Sequence, residues 1–216
     1  MLYLPPADNG LDLVAVDASF IIVNKPAGLL SVPGRGDDKQ DCQIHRAQRE
    51  FPDALTVHRL DMSTSGLLLL ARGIEMQRQL SAIFRERQVD KTYLAVVAGR
   101  LANEAGSIDL PLITDWPNRP RQKVDFDIGK PSLTRYRSLG YDATSDTSRV
   151  ALTPVTGRSH QLRVHMAALG HPILGDELYG GEHQTRAPRL LLHATMLAFP
   201  HPIGGELLRF DCPPAF

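Results

Sequence analysis

Six short apolar and β-branched runs, at residues 20–23, 92–97, 133–139, 149–155, 190–199 and 206–210, constrain this chain most. Each reads as a strand, and several follow one another with no helical pattern between them. Helical spacing is confined to three places. Residues 41–49 carry Ile44, Ala47 and Gln48 on one side, with Asp41 as an expected cap and Pro52 as a stop. Around 76–87, Met76, Leu80, Ile83 and Phe84 recur on one stripe, while Arg78, Arg85 and Arg87 fall elsewhere. Over 159–168, Leu162 and Met166 share a stripe, with Ser159 as expected N-cap and Gly170 beyond the end. The expected class is α+β, a mixed and largely antiparallel central sheet with flanking helices and loops. Pro5-Pro6 and Asn9-Gly10 suggest a poorly structured lead-in over 1–15, and residues 111–131 read as a long exposed connection. No repeat or linker divides residues 16–216, so one domain is expected.

Composition narrows the function. With 216 residues, 43% apolar and 22% charged, the chain can bury a real core, which excludes general disorder. No apolar run approaches the roughly twenty residues of a membrane span, and the start has no basic-then-apolar leader, so a cytoplasmic protein without a membrane partner is expected. Cys42 and Cys212 lie far apart and outside any C-x-x-C pair, and read as packing residues. No long heptad or exposed apolar strand asks for an oligomer, so a monomer is expected. Lys plus Arg and Asp plus Glu number 24 each. A protein that grips nucleic acid through phosphates normally carries a cationic surplus. Any such grip here must be local.

Two polar clusters carry chemistry. His58-Arg-Leu-Asp-Met-Ser-Thr-Ser-Gly66 runs directly into Leu67-Leu-Leu-Leu-Ala71, which sets polar side chains at the rim of a rigid apolar element. Asp61 is its only carboxylate, two residues after Arg59, and positive charge would keep it ionised. From the residues alone, a capping turn with an incidental ion pair stands level with an active site. Thr156-Gly-Arg-Ser-His-Gln-Leu-Arg-Val-His165 places Arg158, His160, Gln161, Arg163 and His165 around an expected helix N-terminus, where backbone N–H groups and arginines favour anions. The alternative is a solvated basic face. A metal set of His160, His165 and His171, or of His160, His165 and Asp176 in a hydrolase, misses the i, i+4 spacing of helical zinc ligands.

These clusters, with Asn24-Lys-Pro-Ala-Gly28, Lys91-Thr-Tyr-Leu-Ala95, His171-Pro-Ile-Leu-Gly-Asp176 and Leu190-Leu-Leu-His-Ala194, form an ordered set over nearly the whole chain from about Val16. The set resembles the RluA-type pseudouridine synthase family, and Asp115-Trp-Pro-Asn-Arg-Pro-Arg-Gln-Lys123 looks like the loop of its small members. The lead-in is too short for the S4-like RNA-binding domain of many relatives, so RNA recognition is expected to rest on the catalytic domain. The resemblance implies isomerisation of uridine to pseudouridine in RNA, with no cofactor and no metal. A Rossmann fingerprint and a Walker loop are both lacking, in keeping with that.

By resemblance, Asp61 is the catalytic carboxylate, Arg163 its arginine partner, and Tyr93 the aromatic that packs on the target base and assists the late proton transfer. Arg59 fills the space left by the flipped base and Leu162 lines the uracil pocket. His58, Thr64, Arg158, His160 and Gln161 support the site or touch RNA, while Arg119, Arg121 and Lys123 contact phosphates beside Trp116. His193, within an apolar run, reads as a core histidine. The implied partners are a tRNA anticodon stem-loop and a hairpin of large-subunit ribosomal RNA. The rival from another class is a non-catalytic RNA-binding or ribosome-assembly protein on the same scaffold.

Overall fold

A computed structural model describes residues 3–216 and divides the chain into two compact units, residues up to 91 with 193–215, and residues 92–192 with 216. The first unit opens with β1 (Leu13–Val16), β2 (Phe20–Lys25), α1 (Gln43–Glu50), β3 (Ala54–Thr56), β4 (Ser65–Arg72) and α2 (Gly73–Arg85). Strand β4 is its spine. Every residue from Ser65 to Ala71 is buried, which explains why the run shows no alternation. Antiparallel β2 pairs with it from Phe20 opposite Ala71 to Lys25 opposite Gly66, and β1 lies outside β2. Strand β3 pairs only with the last three residues of β4. Helix α2 buries Leu80 against Phe20, Ile22, Leu67 and Leu69.

The second unit holds β5 (Asp90–Ala98), β6 (Ala105–Asp109), β7 (Leu112–Thr114), β8 (Gln122–Val124), β9 (Leu133–Asp142), β10 (Thr147–Pro154) and α3 (Gln161–Ala168). Strands β5, β10, β9 and β6 pair antiparallel in that order. Leu162 and Met166 of α3 pack with Ala95, Val97, Val150 and Leu152. The chain then returns to the first unit through β11 (Leu192–Pro200) and β12 (Leu207–Asp211). Strand β11 runs parallel to the start of β4, His193 opposite Ser65 and Ala194 opposite Gly66, and β12 pairs antiparallel with β11. The α+β, largely antiparallel class is the one expected.

Several local expectations are corrected. The 111–131 segment is no plain connection: β7 and β8 form a hairpin whose tip is Asp115–Arg121, strands too short for a periodic signal. Leu13–Val16 is a strand, and its first three residues lie inside the 1–15 segment expected to be poorly structured; residues 3–12 carry no regular element but are tied down. Tyr3 donates its hydroxyl to Asp41 C=O and accepts Leu30 N–H, and Arg46 donates to the Pro6 and Ala7 carbonyls. The part of that expectation at residues 1–2 lies outside the described residues. Asp41 does not cap α1, because its carboxylate is taken by Arg46 through two bonds of 2.8 and 2.7 Å. Ser159 does not cap α3 either; His160 precedes the helix in the left-handed region, φ 55°.

Candidate active site

Asp61 sits on the loop between β3 and β4, in a turn closed by Thr64 N–H donating to Asp61 C=O at 3.1 Å. Three anchors fix this loop, one to each part of its path. At its start, His58 Nε2 accepts Leu69 N–H at 3.0 Å. Leu69 lies beyond the β11 pairing at Ser65–Gly66 and before the β3 pairing at Leu70–Arg72, so the imidazole occupies a gap in the ladder. The ring stacks on Phe84 with centroids 4.5 Å apart, and the Lys91 ammonium lies over the other partner of that stack, 5.8 Å from the Phe84 centroid. Burial, with Lys91 adding to it, drives the His58 pKa down to about 3, so the ring is neutral and Nε2 is an acceptor.

In the middle, Ser31 Oγ donates to Leu60 C=O at 2.8 Å and accepts Leu60 N–H at 3.1 Å, and both residues are buried. Next to Asp61, the ammonium of Lys25 donates to Met62 C=O at 3.1 Å and to the carbonyls of Leu29 and Pro26 at 2.7 and 2.8 Å. Lys25 has no exposed surface. Its burial lowers the pKa to about 7 against the opposing pull of Asp61. A short, rigid path therefore presents the half-buried Asp61 at the head of β4, with exposed Arg59 and buried Thr64 on either side.

Gly66 permits the close β4–β11 approach. Its φ is +111°, and an added Cβ would lie 2.3 Å from Ala194 O. Ser65 Oγ meets His193 Nδ1 at 2.9 Å, and His193 Nε2 donates to Cys212 C=O at 3.0 Å. His193 is thus the bonded core histidine expected.

In the second unit the turn into α3 is built around Gln161. Its Oε1 accepts Thr156 hydroxyl and Arg158 N–H at 2.8 and 3.0 Å, and its Nε2 donates to Leu133 C=O and Thr134 Oγ1, both at 3.0 Å. Four bonds use the amide fully, so Gln161 is a clamp between this turn and β9. His165 is buried, donates Nε2–H to Leu110 C=O at 3.1 Å and accepts Thr134 hydroxyl at Nδ1 at 2.9 Å. Burial lowers its pKa. His171 Nδ1 lies 2.8 Å from Ala98 O.

Arg163 and Asp176 form a bidentate pair, Nε to Oδ2 at 2.8 Å and Nη2 to Oδ1 at 2.6 Å, both side chains buried. Burial pushes the Asp176 carboxyl up, but Arg163 and the N–H groups of Leu178 and Tyr179 outweigh it and hold the pKa below the usual range. The Arg163 guanidinium also lies 5.2 Å from the Tyr179 ring centroid. Tyr179 hydroxyl accepts Gln122 N–H at 2.7 Å and meets His160 Nδ1 at 2.8 Å, tying β8 to the start of α3. Tyr93, on β5 opposite Leu152, and Leu162 pack on one cluster.

Of the expected residues, His58, Arg59, Asp61 and Thr64 share the β3–β4 loop, and Tyr93, Leu162 and Arg163 share the β5–α3 side of the second unit. Arg158 is exposed, its Nε directed at Pro131 O at 3.4 Å. Arg119, Arg121 and Lys123 stand apart on the β7–β8 hairpin. Arg119 lies over the Trp116 ring at 4.3 Å, and Lys123 pairs with Asp125 at 3.1 Å. Sequence reasoning missed Lys25, Asp176 and Tyr179 as positioning groups. A lysine ending a β-branched run was a usable signal for the first; Asp176 stood in the His171–Asp176 motif without this role, and Tyr179 gave no signal.

Comparison with known proteins places this chain in a family. The family described as RNA pseudouridylate synthase matches residues 19–168. The chain belongs to it, and is an isomerase acting on uridine in RNA. Among curated relatives, the dual-specificity RNA pseudouridine synthase RluA of Pasteurella multocida is 52% identical over 215 residues, covering 99% of this chain and 98% of the relative. That of Escherichia coli (strain K12) is 51% identical with the same coverage. Among solved structures, human RNA pseudouridylate synthase domain containing 1 superposes with a TM-score of 0.82 at 32% identity, covering 99% of this chain and 87% of that one. No helix among the described residues is long and apolar enough to cross a membrane.

Proposed function

We propose that this chain converts a uridine in a tRNA anticodon stem-loop and one in a hairpin of large-subunit ribosomal RNA to pseudouridine, as a cytoplasmic monomer whose residues 16–216 supply the catalytic domain. The observation that carries the catalytic part is the threefold anchoring of the Asp61 loop by His58, Ser31 and Lys25. Such preorganisation is what a reacting carboxylate needs and what a capping turn does not. The dual specificity named for the relatives supports two RNA targets, and the resemblance suggests their classes.

In the reaction, the N1–C1′ bond breaks, the base turns, a C5–C1′ bond forms, C5 loses its proton and N1 gains one. Atoms balance without an oxidant or a co-substrate. The target base is inaccessible in a stacked loop, so it leaves the stack at a cost of about a few kcal/mol. Arg59, exposed beside Asp61, takes the vacated space, as suits a planar cation that stacks. Asp61 acts on the sugar or the base. Arg163, aimed by Asp176, is the arginine that the resemblance assigns to the reaction. Tyr93 offers a flat face to the uracil and a phenol for the proton transfer at C5, and Leu162 supplies apolar wall. His58, Thr64, Gln161 and His160 hold these groups, and Arg158, Arg119, Arg121 and Lys123 meet phosphates.

Replacing Asp61 with Asn tests the reading. Release of tritium from C5-labelled uridine should vanish while RNA affinity stays within a few-fold. Full release by that variant defeats the mechanism, and no pseudouridine from the parent with tight RNA binding favours a non-catalytic RNA clamp. Pseudouridine mapping in cells lacking the protein tests the targets; unchanged modification of both RNAs removes the dual assignment.

A further inference from the structure

In the first unit, the strand-like segment after Leu29 and the segment leading to Asp61 enclose a cleft of about 280 Å³. Leu30, Val32, Leu60 and Met62 give it apolar walls, and Arg35 and Arg59 stand at it. Its position follows from the Ser31–Leu60 hydrogen-bond pair, which holds the two segments side by side. The cleft therefore begins on the same loop that carries Asp61.

Its polar surface is unusual. Several backbone groups along its walls, those of Leu30 and Leu60 and the carbonyls of Ser31 and Met62, are already committed. Leu30 N–H donates to Tyr3, Leu30 C=O accepts Gln43 N–H, and Ser31 C=O accepts Ile44 N–H. Both backbone groups of Leu60 are held by Ser31, and Met62 C=O accepts from Gly28 N–H and Lys25. The two arginines contrast with this. Several other arginines of the unit are paired: Arg46 with Asp41, Arg49 with Asp8, Arg72 with Asp53. Arg35 and Arg59 are exposed, and among the described residues neither has an ion pair or hydrogen-bonding partner. Arg35 is presented on a closed loop, with Gly34 N–H donating to Lys39 C=O at 2.9 Å and Gln40 Nε2 donating to Gly36 C=O at 2.8 Å. Asp37 and Asp38 follow in that loop, which keeps the cationic field of Arg35 local.

We infer that this cleft takes one nucleotide flanking the target uridine, its base on the apolar wall, its phosphate on Arg35, and that it does so without regard to base identity. The volume is just below the roughly 300–1,000 Å³ of pockets that enclose drug-sized ligands, which suits one base rather than a stacked pair. Stacking and apolar contact tolerate any base, because every base has a π-face. Unpaired guanidinium groups are the natural partners of a phosphate. The inference rests on the RNA reading above, and it adds a subsite that holds the strand in place while the neighbouring nucleotide is out of the stack.

The experiment compares the parent with Arg35→Ala, a loop-tip change that leaves the proposed catalytic residues intact. Affinity for an anticodon stem-loop is read by fluorescence anisotropy, and pseudouridine formation is read in parallel. Arg35→Ala should bind about tenfold more weakly by the same factor whatever base flanks the target, with a salt slope lower by about 1. The loss should disappear when one flanking phosphate is replaced by a neutral methylphosphonate, and an abasic flank should weaken the parent while kcat under saturating RNA stays near the parent value. Equal affinity of parent and variant overturns the subsite, as does a loss that depends on which base flanks the target. A parent that binds the stem-loop but forms no pseudouridine defeats the catalytic reading alone, since the anisotropy arm still decides the cleft.

Discussion

His58 Nε2 accepts the backbone N–H of Leu69 at 3.0 Å, filling a place in the β4 ladder that neither β3 nor β11 reaches. One side chain thereby joins the Asp61 loop to the most buried strand of its unit. Removing it leaves a buried N–H unpaired, so His58→Ala should cost about 1–3 kcal/mol and lower activity through a looser loop. Acid should reveal the same bond. The folded ring takes its proton only near pH 3, the unfolded one near 6.5, so stability from this residue is complete above 6.5 and is lost as pH falls toward 3. Urea unfolding at pH 7.5 and 4.5 checks this: His58→Gln should lose less stability on acidification than the parent, and equal losses would refute it.

Lys25 gives a slope at the other end of the scale. Its folded pKa is near 7 and its unfolded value near 10.5, so burying the ammonium costs most at low pH, and the cost fades as pH rises from 7 to 10.5. The parent should gain stability over that window relative to Lys25→Met. A thermal-unfolding difference between the two that stays flat from pH 7 to pH 9.5 would contradict it.

The Arg163–Asp176 pair should behave as a unit. Arg163→Met leaves the buried Asp176 carboxylate without its guanidinium and should cost about 3–5 kcal/mol, and Asp176→Leu removes a buried carboxylate from Arg163 and should also destabilise. The double variant should cost well under the sum of the two, as a denaturation double-mutant cycle will measure. Strict additivity would mean that the pair carries no coupling.

Gly66 and Gly73 share a positive φ but differ in surroundings. A Cβ at Gly66 would lie 2.3 Å from Ala194 O, and one at Gly73 meets nothing within 4 Å. Gly66→Ala should therefore lose roughly 3 kcal/mol or more, beyond the usual range for a point change, and Gly73→Ala only the roughly 1–2 kcal/mol of a left-handed backbone. Comparable thermal midpoints for the two variants would be the failing result.

On the β7–β8 hairpin, Arg119→Ala with Arg121→Ala should weaken RNA binding uniformly across sequences and lower the salt slope by about 2, with kcat under saturating RNA unchanged. A fall in kcat at constant affinity would move these residues into the chemistry.

Much of the fold was legible in the chain. Apolar runs located β2, β5, β9, β10, β11 and β12, while β4 showed only as a rigid apolar element and β6 not at all; the 3.6-residue stripe of Met76, Leu80 and Phe84 located α2, because burial of one face imposes that period. Strands of three or four residues, β1, β3, β7 and β8, stayed hidden: three residues carry no period, and their pairing is decided by what lies across from them. Asp41 shows the same limit for caps. An Asp ahead of a helix fits an N-cap, but an arginine one turn on competes for its carboxylate and takes it.

For the candidate site, the sequence by itself determined which residue types stand near one another along the chain: a lone carboxylate between Arg59 and Thr64, ahead of a run that must be buried, and an Arg- and His-rich turn ahead of a helix. With balanced net charge, it also determined that any cationic grip on RNA is local. Only the tertiary structure decided what those residues are worth. It made His58 a neutral peg in a sheet, Lys25 a buried clamp under Met62, and Gln161 a four-bonded tie, and it gave Arg163 its partner Asp176 thirteen positions on. Among the described residues it left Arg35 and Arg59 without a carboxylate. The physical reason is that a charge or a polar group changes its role with desolvation and with the partner opposite it, and both are set by strand register and packing between residues remote in sequence.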